Sequence, residues 1–336
     1  MARKKVLFGA VVTAILMVVI ESIAWGWERF SWLGDQIAQD ASLYVENDGG
    51  RPQLRPGAHL EGSKYEISIN SIGFRGPELE RDRSNSDLRV WCIGGSTTFD
   101  IYAPTNEDTW PFRLQTELQE AFPERRVEVV NAGIPGEVLT GSREDFEQFY
   151  GSVKPDYLVV YHGPNDLRFA ASSQAMPMHK PSPLHIFATF RLLSRWVPVQ
   201  TVREEWVNHR IDGAQWSRIE RDLRGFVDSA QSKGVGVVMA THAHRADDTD
   251  EGFAARVGVG EGTTLLKMSP EGVISSFARY NELVTTMADE RGLYLADVRS
   301  AVPADSEYFG DHTHFTPKGS ELAAQEVARV IIEAER

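Results

Sequence analysis

The chain reads as an α/β protein, a three-layer α/β/α sandwich around a parallel sheet. Two observations predict this. From Leu88 onward, short apolar runs alternate with longer amphipathic stretches, the pattern of a parallel sheet covered by helices on both faces. In addition, three Gly-containing polar turns, at 94–98, 131–136 and 163–166, directly follow three of those runs. Loops at the carboxyl ends of parallel strands gather on one crevice. The predicted strands are 88–93, 127–131, 157–161, 235–240 and 293–298, and the predicted helices are 109–122, 142–150, 214–232, 275–291 and 317–335.

Outside this rhythm the chain carries other segments. Arg3, Lys4 and Lys5 precede an apolar run over 6–27 that only Glu21 interrupts. That run is long enough to span a bilayer, with Glu21 near one interface and Trp25, Trp27, Phe30 and Trp32 as an aromatic belt. The rival reading is a cleaved signal peptide with its small-x-small site at Ser22-Ile23-Ala24. In both cases the basic flank places the bulk of the chain outside the cytoplasm, periplasmic or extracellular. Residues 28–87 form a spacer or flanking region, with turn signals at Arg55-Pro56-Gly57 and Gly76-Pro77 and a short alternating strand over 65–69. The sheet domain covers 88–336. Within it 169–213 is an insertion rich in Met, Pro and aromatic residues, read either as a lid or as a packed helical hairpin. A second irregular stretch, 247–269, is rich in Gly and acidic residues and reads as a loop.

The formal net charge of −13 argues against a nucleic-acid partner, because phosphate affinity needs clustered Lys and Arg. Cys92 is the single cysteine, so no intrachain disulfide forms. Its place in an apolar run makes it a packing residue, since apolar burial raises a thiol pKa.

The polar turns hold the chemistry. Ser96 follows two glycines at a strand end, where the chain can turn sharply and leave the hydroxyl uncovered. A serine hydroxyl needs an adjacent base, and a helix N-cap is the bland alternative. Asp311 and His314 are three residues apart before the last helix, so one turn can supply a base and the carboxylate that orients it. His312 competes with His314, but residues three apart share a face while adjacent ones diverge. Gly136 and Asn165 are candidate oxyanion donors, through a close backbone N–H and a side-chain amide. Either could equally be a turn residue. His242 and His244 flank Ala243 past a strand and, with His162, raise the question of a metal site. They lack the spacing of a known metal motif, and lining the substrate crevice is the preferred reading.

Taken together and in order, Gly94-Gly95-Ser96-Thr97-Thr98, Asn131–Gly136, Gly163-Pro164-Asn165-Asp166 and Asp311-His312-Thr313-His314 resemble the four blocks of the SGNH hydrolases, the GDSL esterases and lipases. The resemblance covers about 88–336 and implies a flavodoxin-like sheet. It implies Ser96 as nucleophile, Asp311 and His314 as orienter and base, and an oxyanion hole of Ser96, Gly136 and Asn165. It implies no metal and no organic cofactor. The first block departs from Gly-Asp-Ser-Leu at Gly95 and Thr97, positions without a catalytic role. Asp100 stands where relatives often have a small residue, and is expected to alter the pocket entrance. Single-span members of similar layout imply a bacterial envelope protein.

The expected function is a serine esterase that cleaves a short acyl group from a carbohydrate or envelope glycan through an acyl-Ser96 intermediate. Two rivals stand beside it: an O-acyltransferase using the same serine, and a non-catalytic envelope binding or scaffold protein.

Overall fold

The structure, a computed structural model, describes residues 13, 15–24, 41–47, 50–62, 65–80, 84, 87–172, 189, 211–245, 268 and 270–336. Nine strands are described. Two short antiparallel hairpins come first: β1 (Tyr44–Glu46) with β2 (Pro52–Leu54), and β3 (His59–Glu61) with β4 (Glu66–Ser68). The sheet comprises β5 (Leu88–Gly94), β6 (Val127–Gly133), β7 (Tyr157–Tyr161), β8 (Gly236–Ala240) and β9 (Tyr294–Ala296). All its pairs are parallel and its order is β6-β5-β7-β8-β9. This is the flavodoxin-like order, which reverses direction at β5 and opens a crevice at the carboxyl ends of β5 and β7.

Helices follow the strands: α1 (Ser96–Phe99), α2 (Trp110–Ala121), α3 (Leu139–Val153), α4 (Pro164–Ser172), α5 (Gly213–Ser232), α6 (Pro270–Arg291), α7 (Val298–Ala301) and α8 (Pro317–Ala334). Strand side chains alternate between two cores. Trp91, Ile93, Leu158, Val160, Val237 and Met239 pack with Phe146, Leu223, Phe226 and Phe277 of α3, α5 and α6. Val90, Cys92, Val159 and Val238 pack with Leu114, Leu118 and Val327 of α2 and α8. The three layers predicted from sequence are therefore present. Helix starts follow their caps. The side chains of Thr109, Asp212 and Thr316 accept from Phe112, Gln215 and Gly319 N–H, and prolines stand in the first turns of α2 and α8.

The predicted boundaries shift where side chains intervene. Strand β9 stops at Ala296 because the Asp297 carboxylate accepts from Ser300 N–H and opens α7. Helix α3 begins at Leu139, whose N–H donates to Asp166 Oδ1 at 2.9 Å. Helix α6 already begins at Pro270. Helices α1 and α4 were not anticipated, and α4 continues through Ser172 into the stretch read as an insertion. Most of 169–213 and of 247–269 lies outside the described residues, as do the aromatic belt and half of the 6–27 run. The described part of that run, 13 and 15–24, is helical, and its Glu21 Oε2 accepts from Thr189 N–H and Oγ1–H at 3.1 and 2.6 Å. Among the described residues no helix is long and apolar enough to cross a membrane.

The described part of 28–87 does more than space. Leu43, Leu54, Leu60, Ile67 and Ile69 form a third core with Phe99, Ile101 and Ile134 beside the carboxyl ends of β5 and β6. Arg75 enters between them, fully buried. Its guanidinium donates to the carbonyls of Phe99, Asp100, Ala103 and Thr105 at 2.8–3.0 Å and to Asn106 Oδ1 at 3.1 Å. Burial pulls its pKa down to about 10, against the pull of Asp100, Asp108 and Glu107, so the cation persists at neutral pH. Removing it leaves several buried carbonyls without donors. Arg75→Leu is expected to lose about 3–5 kcal/mol in urea denaturation, whereas Arg329→Leu, at an exposed helix position, should lose under about 1 kcal/mol. Equal losses would mean that the Arg75 bonds do not hold this region.

Candidate active site

The four polar segments meet at the carboxyl ends of β5, β6 and β7. Ser96 opens α1 directly after β5, with Gly95 as N-cap. Gly95 is required by proximity: a Cβ there would lie 2.5 Å from Asn165 Nδ2 and 3.3 Å from the Glu137 carbonyl. Those two atoms mark how closely the second and third segments approach the serine turn.

Ser96 Oγ lies 2.7 Å from His314 Nε2, and His314 Nδ1 lies 2.6 Å from Asp311 Oδ2. The other carboxylate oxygen, Asp311 Oδ1, accepts the N–H of Thr313 and of His314, both at 2.8 Å. One carboxylate thus folds the turn and orients the ring it serves. With the Nδ1 proton on the Asp311 side, Nε2 is left as acceptor for the serine hydroxyl. Burial alone would raise the Asp311 carboxyl. The charge and hydrogen bond of His314, His312 and the Thr313 N–H outweigh it and hold the carboxyl below the usual range. His312 is placed differently. Its Nδ1 is 4.0 Å from Asp311 Oδ1, and its carbonyl accepts from Arg245 N–H.

Gly136 sits in the turn Ile134-Pro135-Gly136-Glu137. Glu137 N–H donates to Ile134 O at 3.0 Å, and Gly136 has φ +87°. Proline second and glycine third with positive φ are the marks of a type II turn. Asn165 Nδ2 donates one hydrogen to Glu137 O at 2.9 Å, which leaves its second hydrogen for another acceptor. The neighbouring Asp166 carboxylate takes Leu139 N–H. Asn165 and Asp166 therefore stitch the loop after β6 to the loop after β7, beside Ser96.

The model of the GDSL-like lipase/acylhydrolase family matches residues 92–322. The chain belongs to this family. No curated protein matches the chain. Solved structures similar to it include a member of the lipolytic protein G-D-S-L family from Veillonella parvula, at 15% identity over 72% of this chain and 97% of that one, TM-score 0.45. A GDSL-like lipase from Bacteroides thetaiotaomicron shares 12% identity over 77% and 93%, TM-score 0.46. An acetylxylan esterase from Geobacillus stearothermophilus shares 16% over 73% and 94%, TM-score 0.45.

Two expectations about the site need correction. Asp100 does not shape a pocket entrance. It is 1% exposed and points inward, where its Oδ2 accepts Trp110 N–H at 2.9 Å and Ser320 Oγ–H at 2.6 Å. It thereby ties α1 to α2 and to α8. His242 and His244 do not line the crevice either. They are 0% and 5% exposed and stack on Phe277 of α6, with ring centroids 5.4 and 4.5 Å away. His162 is also buried, with Nε2 2.9 Å from Ser142 Oγ. Among the described residues no group of three or more His, Cys, Asp or Glu could hold a metal.

Sequence reasoning passed over Arg51, Arg75, Glu137 and Asp166. Arg75 stands between two turn glycines in Gly73-Phe74-Arg75-Gly76, a place where a charged residue next to an apolar one could have been flagged. Arg51 carried no signal.

The buried imidazoles dictate an acid response. Burial drives His242 far below its ordinary value and His244 to about 3. Burial likewise lowers His312, with Asp311 opposing and His314 adding. Unfolded, each takes a proton near about pH 6.5. Their contribution is therefore complete above that pH and is lost as pH falls toward the folded values. Asp100 acts the other way. Burial raises its carboxyl to about 6, so its cost is absent below the unfolded value and grows as pH rises to 6. Burial raises the Glu137 carboxyl in the same sense as Asp100, and the three imidazoles against these two carboxyls give net destabilisation by acid. Among the described residues neither ring nitrogen of His242 has a hydrogen-bond partner, so His242→Phe loses none of those bonds. The thermal midpoint should fall from pH 7 to pH 5, and His242→Phe should flatten the fall by about one proton, roughly 1.4 kcal/mol per pH unit. An unchanged slope would mean that His242 titrates normally in the fold.

Proposed function

We propose that this acylhydrolase is a serine esterase working through an acyl-Ser96 intermediate, on a short acyl group carried by a carbohydrate. The observation that supports the mechanism best is the unbroken line from Ser96 Oγ to His314 Nε2 and from His314 Nδ1 to Asp311 Oδ2, at 2.7 and 2.6 Å. In this reading His314 removes the serine proton as Oγ bonds to the ester carbonyl carbon, and the carbonyl π electrons move onto oxygen. Asp311 stabilises the imidazolium. Ser96 and Gly136 N–H and the free Asn165 amide hydrogen receive the oxyanion. Collapse expels the alcohol, which takes the proton from His314. Water then attacks the acyl carbon with His314 again as base, the bond to Ser96 Oγ breaks, and Oγ takes the proton back from His314 as the acid leaves.

The carbohydrate acceptor is carried over from the sequence reading, and product analysis decides it. The enzyme is given an acetylated oligosaccharide together with an unacylated acceptor sugar. Free acid with no transferred ester is expected. Transfer to the acceptor would replace the hydrolase reading with the acyltransferase one. No turnover of this or of any aryl ester would leave a binding protein.

We also propose that the protein is held at a membrane by its N-terminal run, with the domain outside the cytoplasm. This rests on the basic residues Arg3, Lys4 and Lys5 and on the helical stretch 15–24, where Ile15 to Ile20 and Ile23 are 46–66% exposed. Alkaline extraction should leave the full chain in the membrane fraction, and a soluble chain would sink the idea.

Three substitutions test the roles. Ser96→Ala should abolish hydrolysis of a short-chain aryl ester at unchanged thermal stability. Residual turnover above roughly a hundredth of wild type would point to another nucleophile. Asn165→Ala should slow turnover by about a hundred- to a thousandfold, with little change in Michaelis constant because the charge it meets exists only in the transition state. His314→Ala should be inactive, and His312→Ala should keep most of its rate. The reverse pattern would exchange their roles.

A further inference from the structure

We infer that Arg51, from the N-terminal hairpin β1–β2, is a positioning residue for the oxyanion loop, acting through Glu137 on Asn165 and Gly136. This rests on the esterase reading above.

Arg51 lies in the turn leading into β2, outside residues 92–322. Its guanidinium grips two buried carboxylates at once, and the exposed carboxylate of Glu144 lies 3.5 Å from its Nε. Nη1 donates to Glu137 and, at 3.0 Å, to Asp145 Oδ2, while Nη2 donates to Asp145 Oδ1. Both carboxylates are buried, Glu137 at 8% and Asp145 at 3% exposure, and Arg51 itself is largely covered. Gln53 Nε2 adds a bond to Asp145 Oδ1 at 2.8 Å but makes none to Glu137. The planar fork of an arginine suits this bridging task, and a lysine ammonium does not reproduce it.

Glu137 is where the clamp meets the site. It is the last residue of the turn that holds Gly136 at φ +87°, and its carbonyl takes the Asn165 amide at 2.9 Å. Its side chain folds back to accept its neighbour's amide, Val138 N–H, at 3.0 Å. Asp145 is on α3, which is rigidly packed. Arg51 thus fixes Glu137 against α3, and Glu137 fixes both candidate donors. Without Arg51, two buried carboxylates face each other with their shared cation gone. Burial and Asp145 already push the Glu137 carboxyl upward, and Arg51 opposes them. The carboxylates would then separate or take up a proton, and the turn would move with Glu137. Arg51 touches neither Ser96 nor His314 in any described bond, so nucleophile and base stay in place. The expected defect is in transition-state charge stabilisation alone.

The test is a double-mutant cycle on the full chain, with a short-chain aryl ester as substrate. Arg51→Ala should lower kcat roughly ten- to a hundredfold, the scale of a donor displaced by about an ångström, with KM within about twofold. Combined with Asn165→Ala it should cost clearly less than the product of the two single losses, because one of the two donors it positions is already gone. Gln53→Ala, which leaves the Arg51–Glu137 contact intact, should keep its rate. Unchanged kcat in Arg51→Ala, or a loss that multiplies fully with that of Asn165→Ala, overturns the inference. A merely structural arginine would give that multiplicative loss with a lowered thermal midpoint. Should Arg51→Ala fail to fold, Arg51→Lys is read instead, with the same coupling to Asn165→Ala expected and its absence equally decisive. Ser96→Ala run alongside separates the two levels. A dead Ser96→Ala with an indifferent Arg51→Ala refutes the clamp alone, and an active Ser96→Ala refutes the esterase reading beneath it.

Discussion

A single buried cation sets the frame of this molecule. Arg75 keeps its proton at neutral pH even though burial lowers its pKa, so wherever the chain encloses it, acceptors must be arranged around it. Here they are the carbonyls of Phe99, Asp100, Ala103 and Thr105. Helix α1 has four residues, too few to hold itself by its own turns. Its carboxyl end is held from outside by the guanidinium, and the next residue, Asp100, extends the hold to the start of α2 and to Ser320 on α8. The position of Ser96 is thus fixed by groups that never approach a substrate. The cost of burying Asp100, visible in its raised pKa of about 6, is part of the same arrangement.

Around that frame the sheet supplies direction. Strands β5 and β7 lie side by side and parallel, so Ser96 and Asn165 emerge at the same edge. The loop after β6 joins them because β6 is the other neighbour of β5. The bonds from Asn165 to Glu137 and from Leu139 to Asp166 then lock two loops that the sheet only brings close. Coarse placement comes from strand order, and fine placement comes from side chains that bridge loops.

This division explains what could be read from sequence. The strands and the longer helices from 88 onward were legible because each apolar run carries its own period and several helices their own cap, as at Thr109, Asp212 and Thr316. Ser96, Asp311, His314, Gly136 and Asn165 were nameable because each sits in a short segment whose neighbours make the turn. The pairing of Asp311 with His314 follows from three-residue spacing alone. What escaped were long-range polar contacts. Arg51 meets Asp145 across 94 positions, and Arg75 meets Phe99 across 24. No local pattern marks an arginine as a clamp, because its partners are carbonyls and carboxylates chosen by the fold. The buried histidines were misread for a related reason. Nothing in the segment that holds His242 and His244 announced that Phe277 of α6 would cover them.

The separation of Ser96 from His314 by 218 positions has a consequence for the life of the chain on the ribosome. Domains begin to form from the amino end as they are made. The strand that presents Ser96 is complete long before the turn with Asp311 and His314 has been synthesised. Throughout that interval the hydroxyl is an ordinary alcohol, without a base to take its proton. A chain truncated before residue 311 has the serine and Asn165 yet lacks both members of the turn. The serine and its imidazole therefore meet only when α8 docks and Ser320 closes on Asp100.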